Sequence, residues 1–133
     1  SRTHDSSAVY MMHHIADGAD HIYLALGATD FRKQQNGLAT LVSLKFKLNP
    51  YSGTNLFLFC NKRRTSLRAL RWDKNGFILV SKFLSDDMKF QWPKNEGDVR
   101  NIAKRQLDWL LDGLNIDQKK ALRESINTTD IIF

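Results

Sequence analysis

The residues with most capacity for chemistry lie in one stretch, "NKRRTSLRALRWDKNGF" at 61–77. Six basic side chains, Lys62, Arg63, Arg64, Arg68, Arg71 and Lys74, stand there against one acid, Asp73. That segment carries net +5 of the +6 on the whole 133-residue chain. Arginines interleaved with an aromatic on a strand suit a nucleic acid, through phosphate contact and base stacking. On a strand over 66–73, Arg68, Leu70 and Trp72 point one way, and Leu67, Ala69 and Arg71 the other. Charges of this kind also serve simply to solvate a hairpin and blunt its edges. Net charge speaks to partners and solubility, not to fold.

Catalytic groupings are sparse. Asp30, Asp73 and Asp108 are the acids that could share Mg²⁺ as a nuclease does, but no spacing requires it, and Asp30 reads better as a helix cap. Cys60 and the serines have only His21 as a candidate base. Phosphate-cradling glycine loops and zinc-type cysteine–histidine spacings are absent from the sequence, so no cofactor and no metal are expected. His13-His14 would make a poor clamp by itself. One cysteine, Cys60, fits a reducing compartment, and no apolar run approaches the ~20 residues of a membrane span. A cytoplasmic protein is expected.

The elements that would position these residues follow from periodicity. Residues 1–20 show neither helical nor strand period and read as a leader and variable N-terminus, with a natural start near Met11 or Met12. A single domain then covers 21–133. "HIYLAL" (21–26) is a strand ended by Gly27. "ATDFRK" opens a helix that Thr29 or Asp30 would cap, with Leu38, Leu41, Val42 and Phe46 on its apolar face. Gly37 in that helix suggests a close-packed neighbour. "NPYSGTN" (49–55) is a turn. "LFLFC" (56–60), apolar on both faces, is a central strand. Strands at 66–73 and 76–84 flank a hairpin at Lys74-Asn75-Gly76. "KFQWP" (89–93) adds a short strand that Pro93 ends. After an acidic link, a helix over about 102–114 carries Leu107, Leu110, Leu111 and Leu114, and a weaker helix spans 117–126. Trp109 lies ~200° from Leu107 on that helix, off the leucine face. It is either covered by the C-terminal segment or offered to a partner. The pattern is α+β: an antiparallel meander of about four strands with helices packed on one face.

Motifs in fixed order carry a resemblance. They are "YLALGATDFRK" (23–33) with "NGLATLV" (36–42), "NPYSGTNLFLFCNKRR" (49–64), "LRALRWDKNGF" (67–77), "WP" (92–93) and "QLDWLLDGL" (106–114). Together they resemble the accessory proteins called TnpB of insertion sequences of the "insertion sequence 66" type. The resemblance implies a helper of transposition, encoded beside a separate transposase that carries the acidic catalytic triad. Its implied partners are element DNA and that transposase; no enzymatic activity of its own is implied. The family motifs fall on Thr29, Asp30, Arg32, Lys33, Arg64, Trp72, Asp73, Gly76, Phe77, Trp92, Pro93, Gln106, Trp109 and Gly113. The chain departs from the family at Ser81-Lys82-Phe83, at Gln91 and at Ala103, which shifts any DNA contact toward 62–74. The expected DNA-binding set is therefore Arg32, Lys33, Lys62, Arg63, Arg64, Arg68, Arg71, Trp72 and Lys74, with Trp109 for a protein partner. A pure protein adaptor, or a small metal-dependent nuclease using Asp30 and Asp73, are the alternatives.

Overall fold

The computed structural model describes residues 10–85, 87–94 and 97–118. Its centre is a five-stranded sheet in the order β4-β3-β2-β1-β5. The strands are β1 (His21–Ala25), β2 (Asn55–Cys60), β3 (Ser66–Asp73), β4 (Gly76–Phe83) and β5 (Val99–Ile102). Among the described residues, three helical segments accompany them: α1 over 10–16, α2 (Gln35–Leu44) and α3 (Lys104–Leu111).

The α+β class and the β2–β3–β4 meander hold, and β2 is central as its two-sided apolarity requires. Leu56 through Cys60 are all essentially inaccessible to solvent. Two features differ from expectation. The β1–β2 pair is parallel, with Tyr23 opposite Phe57, because α2 lies between the strands in the chain and makes the crossover that parallel pairing needs. A fifth strand, β5, pairs antiparallel with β1, Ile22 opposite Ile102. Four residues long and apolar only at its ends, β5 has no alternation to announce it.

Helices cover both faces of the sheet, not one. The even residues of β2 and β1 and the odd residues of β3 face one layer, where Met12, Ile15 and Ala16 of α1 meet Leu107, Leu110 and Leu111 of α3. On the opposite face, Leu38 and Val42 of α2 pack on Phe57, Phe59 and Leu70. Residues 10–20, read with the leader, thus contribute to the core. Burying side chains such as Phe57 and Leu58 stabilises the fold by about 1.5–3 kcal/mol each.

Three local readings are corrected. Residues 89–93 alternate as a strand would, with Phe90 and Trp92 buried, but form no ladder. They cross the end of the sheet: Phe90 N–H donates to Arg64 O in the β2–β3 turn at 2.7 Å, the Trp92 indole N–H donates to Ala25 O of β1 at 2.8 Å, and Pro93 O accepts the Gly27 N–H at 3.3 Å. α2 begins at Gln35, not at Thr29 or Asp30, since the Asp30 carboxylate binds the Arg32 backbone N–H at 2.9 Å and its guanidinium instead. α3 ends at Leu111, so Leu114 is exposed and Ile116 takes the buried place. Gly113, at φ +82°, ends it with two bonds: Gly113 N–H to Leu110 O at 3.0 Å and Leu114 N–H to Trp109 O at 2.8 Å. At the other end of α3, Gln106 Oε1 accepts the Ala103 N–H at 2.8 Å, half of a capping box; alanine cannot supply the reciprocal bond. Of the second C-terminal helix, residues 119–126 lie outside the described residues, while 117–118 are not helical.

Candidate nucleic-acid interface

The topology divides the basic segment. Lys62, Arg63 and Arg64 occupy the turn between β2 and β3, whereas Lys74 sits in the β3–β4 hairpin at the other end of the sheet. β3 separates them by eight residues, about 23 Å of extended chain. What looked like one patch in sequence is two sites in space.

At the first end the charges gather. The loop after β1 returns there, because Thr29 N–H donates to Cys60 O at 2.8 Å. It brings Asp30, Arg32 and Lys33 beside the β2–β3 turn. The segment after Pro93 brings Lys94. Between them, at the carboxyl ends of the parallel strands, lies a pocket of about 240 Å³. Gly27, Ala28, Asn61, Trp92 and Pro93 form its walls with Lys62, Arg64 and Lys94, and among the described residues no acid lines it. Asp98 nearby sits 4.0 Å from Lys45, and Asp117 is bound by Arg100 at 2.6 and 3.0 Å.

The turn that carries these charges is tightly held. Asn61 Oδ1 accepts the Thr65 and Ser66 N–H groups at 2.9 and 3.1 Å, and Arg64 N–H donates to Asn61 O at 3.0 Å. Arg64 itself has φ +61°, in the left-handed region that non-glycine residues seldom occupy. Beneath it, Cys60 is buried, and loss of solvent pushes its thiol up to about 12, so it is not a nucleophile at neutral pH.

The nine residues expected to meet DNA fall into four groups. Lys33, Lys62, Arg63 and Arg64 are exposed and, among the described residues, have no ion-pair partner. Arg32 is exposed but forked onto Asp30, with Nη2 2.8 Å from Oδ2, which holds that carboxyl down at about 2. Arg68 and Arg71 have architectural bonds. Arg68 Nη1 donates to Phe31 O and Lys33 O, both at 2.9 Å, with its guanidinium 4.3 Å over the Phe31 ring. It thereby pins the 28–34 loop on the α2 face. Arg71, on the opposite face, donates to Gly53 O at 2.8 Å, Ile15 O at 2.5 Å and Asp17 O at 2.8 Å. Trp72 and Lys74 stand at the far end. Trp72 is half-buried and packs T-shaped with Tyr51 and Phe77, at centroid distances of 5.3 and 4.9 Å, within an aromatic cluster.

Sequence reasoning missed Lys94 as a member of the cluster, and gave no role there to Asn61. A lone lysine before an acidic link carries no charge-density signal; only the chain crossing over β1 and β2 places it. Lys82, in the strand that departs from the family pattern, donates to Leu111 O at 2.9 Å, a C-terminal contact on α3.

The other groupings separate. Asp30 and Asp73 are at opposite ends of the sheet, and Asp108 lies on α3, 3.2 Å from His13 Nδ1. Among the described residues, no three metal-ligating side chains come together. Trp109 is half-buried at a groove of about 360 Å³ with Ala103, Arg105, Gln106, Ile116 and Asp117. Gly37 faces the Lys33 side chain, not a second backbone; a Cβ there would come within 3.0 Å of Lys33 Cβ.

A small α+β domain with a cationic pocket rim is the class these features define. The family follows from comparison with known proteins. The family described as IS66 Orf2 like protein matches residues 20–121, and the chain belongs to that family, the accessory proteins of IS66-type insertion sequences. It is also similar to two uncharacterized proteins of Sinorhizobium fredii. One, y4hO, is 37% identical over 94 residues, covering 71% of this chain and 80% of the relative. The other, y4jC, is 34% identical over 94 residues, covering 71% and 79%. No solved structure gives a significant match. Among the described residues, no helix is long and apolar enough to cross a membrane.

Proposed function

We propose that this protein is a non-enzymatic accessory factor of transposition that holds element DNA at the basic end of its sheet and meets the transposase through a second surface. One observation carries the DNA half. Lys33, Lys62, Arg63, Arg64 and Lys94 converge from three chain segments onto one end, and among the described residues none of them is held in an ion pair. A DNA-handling complex supplies the polyanion that such a cluster attracts. Arg68 acts one step behind, holding the 31–33 loop that presents Lys33, while Arg71 ties together segments at the other end of the sheet. If four of the five cations neutralise phosphates, log–log plots of affinity against salt should slope about −3.6, at −0.9 per phosphate. Binding of the purified protein to element-end duplex across a salt series tests this, and no binding at low salt would sink it.

The groove at Trp109 favours a protein contact on α3, the second surface of this reading and the main one if the protein is an adaptor. A half-covered tryptophan with Arg105 and Gln106 at its rim has the composition of an interface anchor. Trp109→Ala should lower stability by only ~1–2 kcal/mol, less than the ~3–5 of a core tryptophan, while weakening association with the transposase. An undiminished complex would remove Trp109 from the contact.

A further inference from the structure

A convex basic surface tracks a duplex, but the pocket between β1, β2 and the 92–94 segment is concave, and only a protruding group can enter it. We propose that this pocket seats the phosphorylated end of a DNA strand, with the terminal phosphate among Lys62, Arg64 and Lys94 and the sugar that carries it at the Pro93 rim. The inference rests on the DNA-binding reading and names the part of the DNA the pocket takes.

Size and charge agree on this occupant. At about 240 Å³ the pocket lies below the ~300–1,000 Å³ of sites for drug-sized ligands. Three cations, with no acid among the described lining residues, exceed what one backbone diester, of single charge, would need. A terminal phosphomonoester carries about −1.5 to −2 at neutral pH and three acceptor oxygens, which three basic side chains match better.

The pocket is also built before any ligand arrives. Trp92 is 6% exposed, and its indole N–H is fixed on Ala25 O at 2.8 Å, so that wall does not need to reorganise. Arg64 is held at φ +61° by its N–H on Asn61 O and by Phe90 N–H on its own carbonyl at 2.7 Å. Glycine would adopt this backbone without strain. Lys47 and Lys74 share this backbone conformation elsewhere, at φ +58° and +53°; what distinguishes Arg64 is that its side chain lines the pocket.

The test is fluorescence anisotropy with the full chain and short single-stranded oligonucleotides of one sequence: 5′-phosphorylated, 3′-phosphorylated and unphosphorylated. One phosphorylated end should bind about tenfold tighter than the unphosphorylated strand, a difference of about 1.4 kcal/mol. Arg64→Gly and Lys94→Ala should each erase most of that ratio, while Arg63→Ala, outside the pocket lining, should weaken all three strands alike. Arg64→Gly should melt at or above the temperature of the parent protein, which separates lost binding from lost folding. Equal affinity for all three strands would overturn the inference and leave the DNA reading standing. Failure of every strand and of duplex to bind would overturn both.

Discussion

Arg71 offers the sharpest separation of architecture from DNA contact. Its guanidinium joins three chain segments on the α3 face: the end of α1 through Ile15 O, the following turn through Asp17 O, and the turn before β2 through Gly53 O. Charge-assisted bonds contribute about 1.5–3 kcal/mol each when fully buried. Here the Asp17 and Gly53 carbonyls are exposed and rehydrate when the arginine is removed, and only the Ile15 bond is part-buried. Arg71→Ala should therefore cost about 2–3 kcal/mol, or roughly 10 °C of melting temperature for a domain this size. Arg71→Lys should recover little of it, since one ammonium cannot span the same carbonyls as a planar fork. Urea denaturation followed by tryptophan fluorescence reads the effect as a lower midpoint with unchanged slope. DNA affinity of the folded fraction should not change. Unaltered stability together with weakened DNA binding would refute the argument and return Arg71 to the phosphate contacts.

Further outcomes follow from other sites. Cys60 should resist alkylation at mildly alkaline pH and react at once in denaturant, because burial holds its thiol near about 12; rapid labelling of folded protein would contradict its placement. The Asp30 carboxyl, lowered to about 2 by its Arg32 bonds, should titrate there by NMR and move toward 3.8 in Arg32→Ala. Since its folded value lies below its unfolded one, the stability this pair contributes is present above ~3.9 and fades as pH falls toward 2. Gly113→Ala should destabilise by about 1 kcal/mol, because φ +82° strains any side chain; thermal melts check it.

Much of the fold was legible because its signals were local and repeated. Two-sided apolarity located β2, and the Lys74-Asn75-Gly76 hairpin set β3 against β4 in the register that places Arg68 and Trp72 on one face. The rest depended on long-range contacts. Met12, Ile15 and Ala16 have helical spacing, but three residues over barely one turn carry little weight until Leu107 and Leu110 are seen opposite them. Phe90 and Trp92 alternate like a strand, yet Pro93 and the crossing path deny them a ladder. The basic segment was legible as charge and not as geometry. Strand rise alone separates Lys74 from Arg64, whereas which arginines turn inward depends on carbonyls of residues 15, 17, 31, 33 and 53, distant in sequence. Lys94 joined the cluster only through the fold.

The most direct test of the account compares salt slopes for element-end duplex between the parent protein, a Lys62→Ala/Arg63→Ala/Arg64→Ala variant and Lys74→Ala. With four phosphates neutralised at the basic end, the parent slope is about −3.6, and the triple variant, which keeps only Lys33 and Lys94, should fall to between about −0.9 and −1.8. Lys74→Ala, at the opposite end of the sheet, should leave the slope at its parent value. A triple variant that keeps the parent slope, or a Lys74→Ala protein that loses it, would contradict the assignment of DNA to this end of the molecule.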